Sequence, residues 1–284
     1  MKFGLNVINA WSEKYEDVQN PSQFLLELAI AADEAGWEGF FLWDHISFPW
    51  VVPMVDPWMI LAAIAGRTKN LRLGTLITPL PRRRPQVIAR QLVTLDNLSN
   101  GLTVLGVGLG GSDRDFTAFG EDFNPKVRAA KLDEALEVIT GLWSGEVVNY
   151  HGKHYIVDGV TFLPKPVQEP RIPIWVGGES TGALRRASKY DGWAAVGPAP
   201  SANQGGLSLE QVSKAIEKIR QYRGNDDPFD VVYIMDFPEV KQLLRDTMQK
   251  ADSVGVTWLL EHIYGWRYSR EKALERVKKG PPEF

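Results

Sequence analysis

Eight short runs rich in β-branched and aromatic residues alternate along the chain with eight longer stretches that repeat apolar residues at helical spacing. No other feature constrains the fold as strongly. The strand-like runs are 2–8, 39–43, 71–77, 102–108, 173–178, 193–197, 230–235 and 256–263. The helical patterns between them are 21–36, 56–68, 85–99, 126–145, 181–192, 208–224, 238–255 and 269–279. Local chemistry supports several boundaries. Asp56 suits an N-cap with Pro57 at the first helical position, Pro21 suits a first turn, and Gly36 suits a stop. The alternation breaks once, at 146–166, where a two-residue period around "HGKH" predicts a β-hairpin.

Strands alternating with helices imply a parallel sheet covered by helices, because a parallel crossover needs a helix-length connection. Eight repeats in 284 residues fit an α/β class (β/α)8, or TIM, barrel with a β-hairpin insertion after the fourth helix. An open doubly wound sheet is the alternative. No linker divides the chain, so 1–284 reads as a single domain, and "GPAPSANQGG" (197–206) reads as a long loop after the sixth strand.

Composition removes several classes of function. Lysine plus arginine number 32 against 35 acidic residues, a net charge of −3 that gives no basic footprint for nucleic acid. There is no cysteine, which excludes disulfides, thiolate metal sites and thiol nucleophiles. No apolar run reaches the roughly 18 residues a membrane helix needs, and "MKFGLNVINA" is too short and polar for a signal peptide. The expectation is a soluble, cytoplasmic protein with a small-molecule substrate.

"VLGVGLGGSD" (104–113) matches the dinucleotide fingerprint G-x-G-x-x-G at Gly106, Gly108 and Gly111. That fingerprint requires the first strand of a βαβ unit followed at once by a helix. Here the strand is the fourth, and no helical period resumes until Lys126. Glycines at a barrel strand's end instead let another group approach the backbone, and that group can be a flat cofactor ring.

Barrel enzymes carry their chemistry at the carboxyl ends of strands. Asp44 and His45 end the second strand, and a rim histidine suits proton transfer near neutral pH. Thr75 and Thr78 could offer hydroxyls into the barrel mouth, and Arg82, Arg83 and Arg84 either hold an anion or form a solvated face. Gly177 and Gly178, before a helix start, suit a phosphate. Glu261 and His262 are neighbours on the last strand, so at most one points inward. Trp43, Phe48, Trp50 and Trp266 are candidates for an apolar pocket wall. His151 and His154 lack the spacing and carboxylate partners of a metal site, and no metal is expected.

Taken together, "GLNVIN", "AADEAGWEGFFLWDHI", "LRLGTLITPLPRRRPQVIARQLVTLDNLSNG", "LGVGLG", "FTAFGEDF", "YHGKHY", "PKPVQEPRIPIWVGG" and "GVTWLLE" resemble the luciferase-like monooxygenase superfamily, in order, over nearly the whole chain. The resemblance implies a TIM barrel that binds FMN or the deazaflavin coenzyme F420 and carries out oxygenation or hydride transfer. Asp44–His45, where the FMN branch has Glu-His-His, is closer to the deazaflavin branch. It implies His45 as proton donor or acceptor, with Asp44 as its orienter or a ring contact. It implies a cofactor site of Thr75, Leu76, Thr78, Gly106, Gly108, Gly110, Gly177 and Gly178, and a non-prolyl cis peptide at Thr75–Leu76 in a bulge behind the ring. Two departures stand out: Leu102 follows Gly101 where the family has arginine, and Gly111 stands where the sugar-phosphate dehydrogenases of that branch carry a glutamate. F420 is the expected cofactor and FMN the alternative. A homodimer is expected. A separate flavin reductase is implied on the monooxygenase alternative, and a non-catalytic flavin-binding barrel is the third reading.

Overall fold

The computed structural model describes residues 1–11, 21–47, 51–196, 206–225 and 227–283. The chain begins with β1 (Lys2–Val7), α1 (Ser22–Glu34), β2 (Gly39–Leu42), α2 (Pro57–Ala65), β3 (Arg72–Pro79), α3 (Pro85–Leu98) and β4 (Thr103–Gly108). A short α4 (Arg114–Thr117) and a long α5 (Pro125–Trp143) follow, then the hairpin β5 (Val148–His151) and β6 (Ile156–Val160). The second half holds β7 (Ile174–Gly177), α6 (Thr181–Ala187), β8 (Gly192–Ala194), α7 (Leu209–Arg223), β9 (Asp230–Met235), α8 (Lys241–Val254), β10 (Trp258–Ile263) and α9 (Arg270–Lys278).

Eight strands close a parallel barrel in chain order, β1-β2-β3-β4-β7-β8-β9-β10, with β10 returning to β1. The β5–β6 hairpin stands outside it as a separate antiparallel pair after the long helix. The expected (β/α)8 TIM barrel with its hairpin insertion is therefore present. Two local expectations are corrected and a third holds. Arg114–Thr117 form one helical turn in a stretch expected to have no helix. The helix expected over 181–192 ends at Ala187, and its strand shortens to Gly192–Ala194. Asp56 does cap α2, accepting the Met59 N–H, with Pro57 at the first position. The 197–206 loop, up to residue 205, and Phe48 and Trp50 lie outside the described residues.

Alternate residues of each strand point to opposite faces, and this sorts the core into two layers. Phe41, Leu76, Val104, Trp175, Ala194, Val232, Trp258 and Leu260 fill the barrel interior. Leu5, Val7, Leu42, Leu73, Leu105, Val107, Leu259 and Ile263 face outward and pack against the helices. Each such fully buried side chain stabilises the fold by about 1.5–3 kcal/mol. Buried indoles need a partner for their N–H. Asp230 at the start of β9 accepts from both Trp175 and Trp258, which anchors the interior aromatics at the amino end and leaves the carboxyl end for chemistry.

Candidate active site

The end of β2 separates its two candidates. Asp44 is buried, and its carboxylate accepts from Arg83 Nε at 2.7 Å, Thr78 Oγ1 at 2.9 Å and Trp58 Nε1 at 3.3 Å. Arg82 Nη2 donates to the Asp44 carbonyl at 2.7 Å. Asp44 therefore neutralises two arginines beneath the rim. It is not the carboxylate on His45, which corrects the sequence expectation, and Arg82 and Arg83 are committed to it rather than to an anion in the mouth. Arg84 is exposed.

His45 is held by Asp115 instead, its Nδ1 lying 2.6 Å from Asp115 Oδ2. The other Asp115 oxygen accepts the backbone N–H groups of Ile46 at 3.1 Å and Ser47 at 2.8 Å. Asp115 is 1% exposed, while the His45 side chain is 26% exposed. Burial pushes the Asp115 carboxyl up, but the hydrogen bonds from His45 and Ser47 and the charges of His45 and Arg82 outweigh it and hold it below its ordinary value. An ionised Asp115 favours a ring proton on Nδ1, which leaves Nε2 as the other ring nitrogen of His45. Sequence reasoning could not place Asp115. Its only local signal was "SDRDF", which forms the single turn α4.

The glycines of β4 and of the turn after it answer to the neighbouring strand and to the loop that follows. The β3–β4 register shifts between Thr75 and Thr78, and the cis peptide is Leu76–Ile77, one residue beyond the expected Thr75–Leu76. A Cβ on Gly106 would collide with the Thr75 carbonyl oxygen, and one on Gly108 with Ile77 Cδ1. Gly110 has φ +86° and packs under Phe116 and Pro79. Gly106, Gly108 and Gly110 thus make room first for the bulge of β3 and for Phe116. Thr75 and Thr78 hydrogen-bond to each other at 2.7 Å, and Thr78 goes on to Asp44, so these hydroxyls do not face the mouth as expected. Leu76 belongs to the interior. The bulge residue that reaches the mouth is Ile77, half-buried between Gly108 and Gly177.

Arg128, another residue the sequence reading missed, pins this loop. Its guanidinium donates to the carbonyls of Leu109 at 3.0 Å, Gly110 at 2.6 Å and Phe123 at 3.1 Å, and lies 3.7 Å from the Phe123 ring centre. Gly178 has φ +111° ahead of α6, and its carbonyl accepts from Trp193 Nε1. A Cβ on Gly111 would meet open space, so sterics do not explain the glycine there.

Across the mouth, the Trp43 ring lies 5.5 Å from the His45 ring and 5.7 Å from that of His262. Of the last-strand pair, His262 shares the inward face with Trp258 and Leu260. Burial lowers its pKa to about 4, with Arg267 adding to the effect and Asp236 opposing it. Glu261 points outward to Arg276, Arg267 and Tyr268. His151 pairs with Asp158 on the hairpin, and Glu134 accepts the His154 N–H, so these two histidines belong to the insertion. Trp266 is exposed beside Tyr264. No helix among the described residues is long and apolar enough to cross a membrane.

Comparison with known proteins now bears on this geometry. The model of a family described as luciferase-like monooxygenase matches residues 1–236. An uncharacterized protein of Mycobacterium tuberculosis is 27% identical over 271 residues, covering 89% of this chain and 88% of its own. An F420-dependent glucose-6-phosphate dehydrogenase of Gordonia bronchialis is 30% identical over 223 residues, 72% of this chain and 64% of that one. The same-named protein of Microbacterium testaceum is 36% identical over 171 residues, 58% of this chain and 49% of that one. This chain therefore spans about half to two-thirds of those dehydrogenases. Among solved structures, a monooxygenase of Streptomyces bottropensis aligns with TM-score 0.77 at 23% identity over 98% of this chain and 97% of its own. The F420-dependent tetrahydromethanopterin reductase of Methanopyrus kandleri aligns at 0.76 and 18% over 98% of both chains. These two share the fold.

Proposed function

This chain belongs to the luciferase-like monooxygenase family, and we propose that within it the chain is a coenzyme F420-dependent oxidoreductase with His45 as proton donor and acceptor. The observation that carries the reading is the His45–Asp115 pair at the rim of the barrel. The named relatives at 30% and 36% identity support the deazaflavin over FMN.

The residues present fit a flat ring. Half-buried Ile77 offers an apolar platform, the glycines beside it carry no side chain above the backbone, and Gly178 opens the turn before α6. Ile77, Gly108 and Gly177 would hold the ring, and Gly177 with Gly178 the phosphate end. Bound there, the deazaflavin would supply or take up a hydride.

The chain's own part is proton handling. When a substrate carbinol carbon gives up hydride, its hydroxyl proton goes to His45 Nε2, leaving a carbonyl. In reduction His45 returns that proton to the oxygen. Asp115 stabilises the imidazolium between these events and fixes the ring's direction. The Trp43 ring meets His45 edge-on beside it.

A side-by-side fluorescence titration with F420 and FMN tests the reading. Preferential F420 binding, with His45→Ala abolishing turnover and sparing affinity, is the expected result. Tight FMN binding with indifference to F420, or oxygen consumption with reduced FMN, would replace it by the FMN monooxygenase. If every activity survives His45→Ala with affinity intact, the catalytic role given to His45 is wrong.

A further inference from the structure

Two inward-facing polar side chains sit side by side at the carboxyl end of the barrel and neither is satisfied. Asn6 on β1 is in register with His262 on β10. Leu5 and Val7 pack outward against the helices, which turns Asn6 inward. Asn6 is 2% exposed, and its Oδ1 has no hydrogen-bond partner among the described residues. His262 Nε2 is likewise buried and without a partner among them. Buried polar atoms are almost always paired, and leaving one unmade costs roughly 1–3 kcal/mol. Two orphans on adjacent strands, in the layer just above Trp258 and Leu260, point to something that arrives from outside.

We propose that Asn6 and His262 form a substrate subsite that receives a neutral hydrogen-bond donor, an O–H or N–H group, on the part of the substrate remote from the reacting carbon. The tautomer decides the sign of the group. His262 Nδ1 faces Asp236 Oδ1 at 3.9 Å, too far for a direct hydrogen bond, and the negative charge on that side favours the ring proton on Nδ1 over Nε2. Nε2 is then an acceptor, as is Asn6 Oδ1, so the pair calls for donors. Burial keeps the imidazole neutral down to about pH 4, so there is no cation to hold a phosphate or carboxylate. Position supports the assignment. Trp43 lies against both the His262 and the His45 ring, so one molecule lying along the indole reaches both histidines. The inference rests on the proposed function only in taking this mouth as the substrate site.

The test needs no cofactor. Long-range 1H–15N spectra of the whole chain, with His262 assigned through His262→Gln, read the protonation of each ring nitrogen. The probes are 1,2-propanediol for hydroxyl, acetamide for N–H, and acetate as an acceptor-only control. The expected result is an unprotonated Nε2 whose resonance moves with one of the donor probes and not with acetate, the responding probe naming the donor type. Asn6→Leu should weaken that binding about tenfold, the value of one or two buried hydrogen bonds. A protonated Nε2, an equal response to acetate, or unchanged affinity in Asn6→Leu (the pair then holding a water only) would overturn the proposal. Should Asn6→Leu fail to fold, Asn6→Ser and the wild-type spectra decide. Deazaflavin binding is measured on the same samples. A donor response without F420 binding would refute the proposed cofactor and leave the subsite standing.

Discussion

Acidification tests the environment of His262. The ring's pKa lies at about 4 in the fold against an ordinary 6.5. Between those two values the unfolded chain binds the extra proton and the folded chain does not. Stability conferred by the neutral ring is therefore whole above pH 6.5 and is lost as pH falls toward 4. The two values are 2.5 apart. At about 1.4 kcal/mol each, the full loss is about 3 kcal/mol, of which about 2 kcal/mol is already gone at pH 5. His262→Gln keeps a polar side chain of similar reach and removes the titration. Urea unfolding of both proteins at pH 7, 6 and 5, followed by tryptophan fluorescence, gives the difference directly. Glu261, whose carboxyl burial pushes up against the pull of Arg276 and Arg267, contributes with the opposite sign, but equally in both proteins. Wild type should lose about 2 kcal/mol more than His262→Gln between pH 7 and pH 5. Parallel losses, or a ring that titrates near its ordinary value by NMR, would refute the claim that His262 is held neutral by burial.

Asp115→Asn keeps the acceptor for the Ile46 and Ser47 N–H groups but not the charge on His45. It should lower kcat about 100-fold or more with deazaflavin affinity retained, as steady-state rates and a binding titration will show. Gly106→Ala and Gly108→Ala separate two kinds of close approach. Gly106 faces a backbone carbonyl that cannot rotate away, so its variant should lose about 3 kcal/mol or fail to fold, whereas Gly108 faces the tip of Ile77 and should cost about 1 kcal/mol while weakening cofactor binding. Urea midpoints and a fluorescence titration distinguish them. Asp44→Leu strips two arginines of their counter-charge below the rim and should destabilise by about 3–5 kcal/mol, measured the same way.

The architecture was legible because periodicity is a local property. A two-residue or 3.6-residue repeat is written in neighbouring side chains, and eight alternations leave few ways to close a sheet. The hairpin insertion was legible for the same reason. Boundaries were missed where a single turn decides them. α4 spans only Arg114–Thr117, too short for any period to register, and α6 stops at Ala187, ahead of Gly192 where the sequence pattern placed its end. At the site, a titratable residue at a strand end is a signal in itself, and it singled out His45. Asp44, expected as its orienter or a ring contact, is not the carboxylate on its Nδ1, because sequence proximity stood in for spatial proximity.

Sequence alone determined the barrel and the position of His45 on its rim. Only the tertiary structure decided which carboxylate serves it. β2 turns Asp44 down among Arg82, Arg83, Thr78 and Trp58, while a loop 70 residues further on returns Asp115 to Nδ1. The same holds for Gly106 and Gly108, which match a phosphate fingerprint in sequence and in space clear a path for the bulge of the preceding strand. The physical reason is common to both cases. Strand and helix periods arise from contacts a few residues apart, whereas a barrel mouth assembles the ends of eight strands, and burial, charge pairing and close approach there depend on residues the chain brings together only on closing.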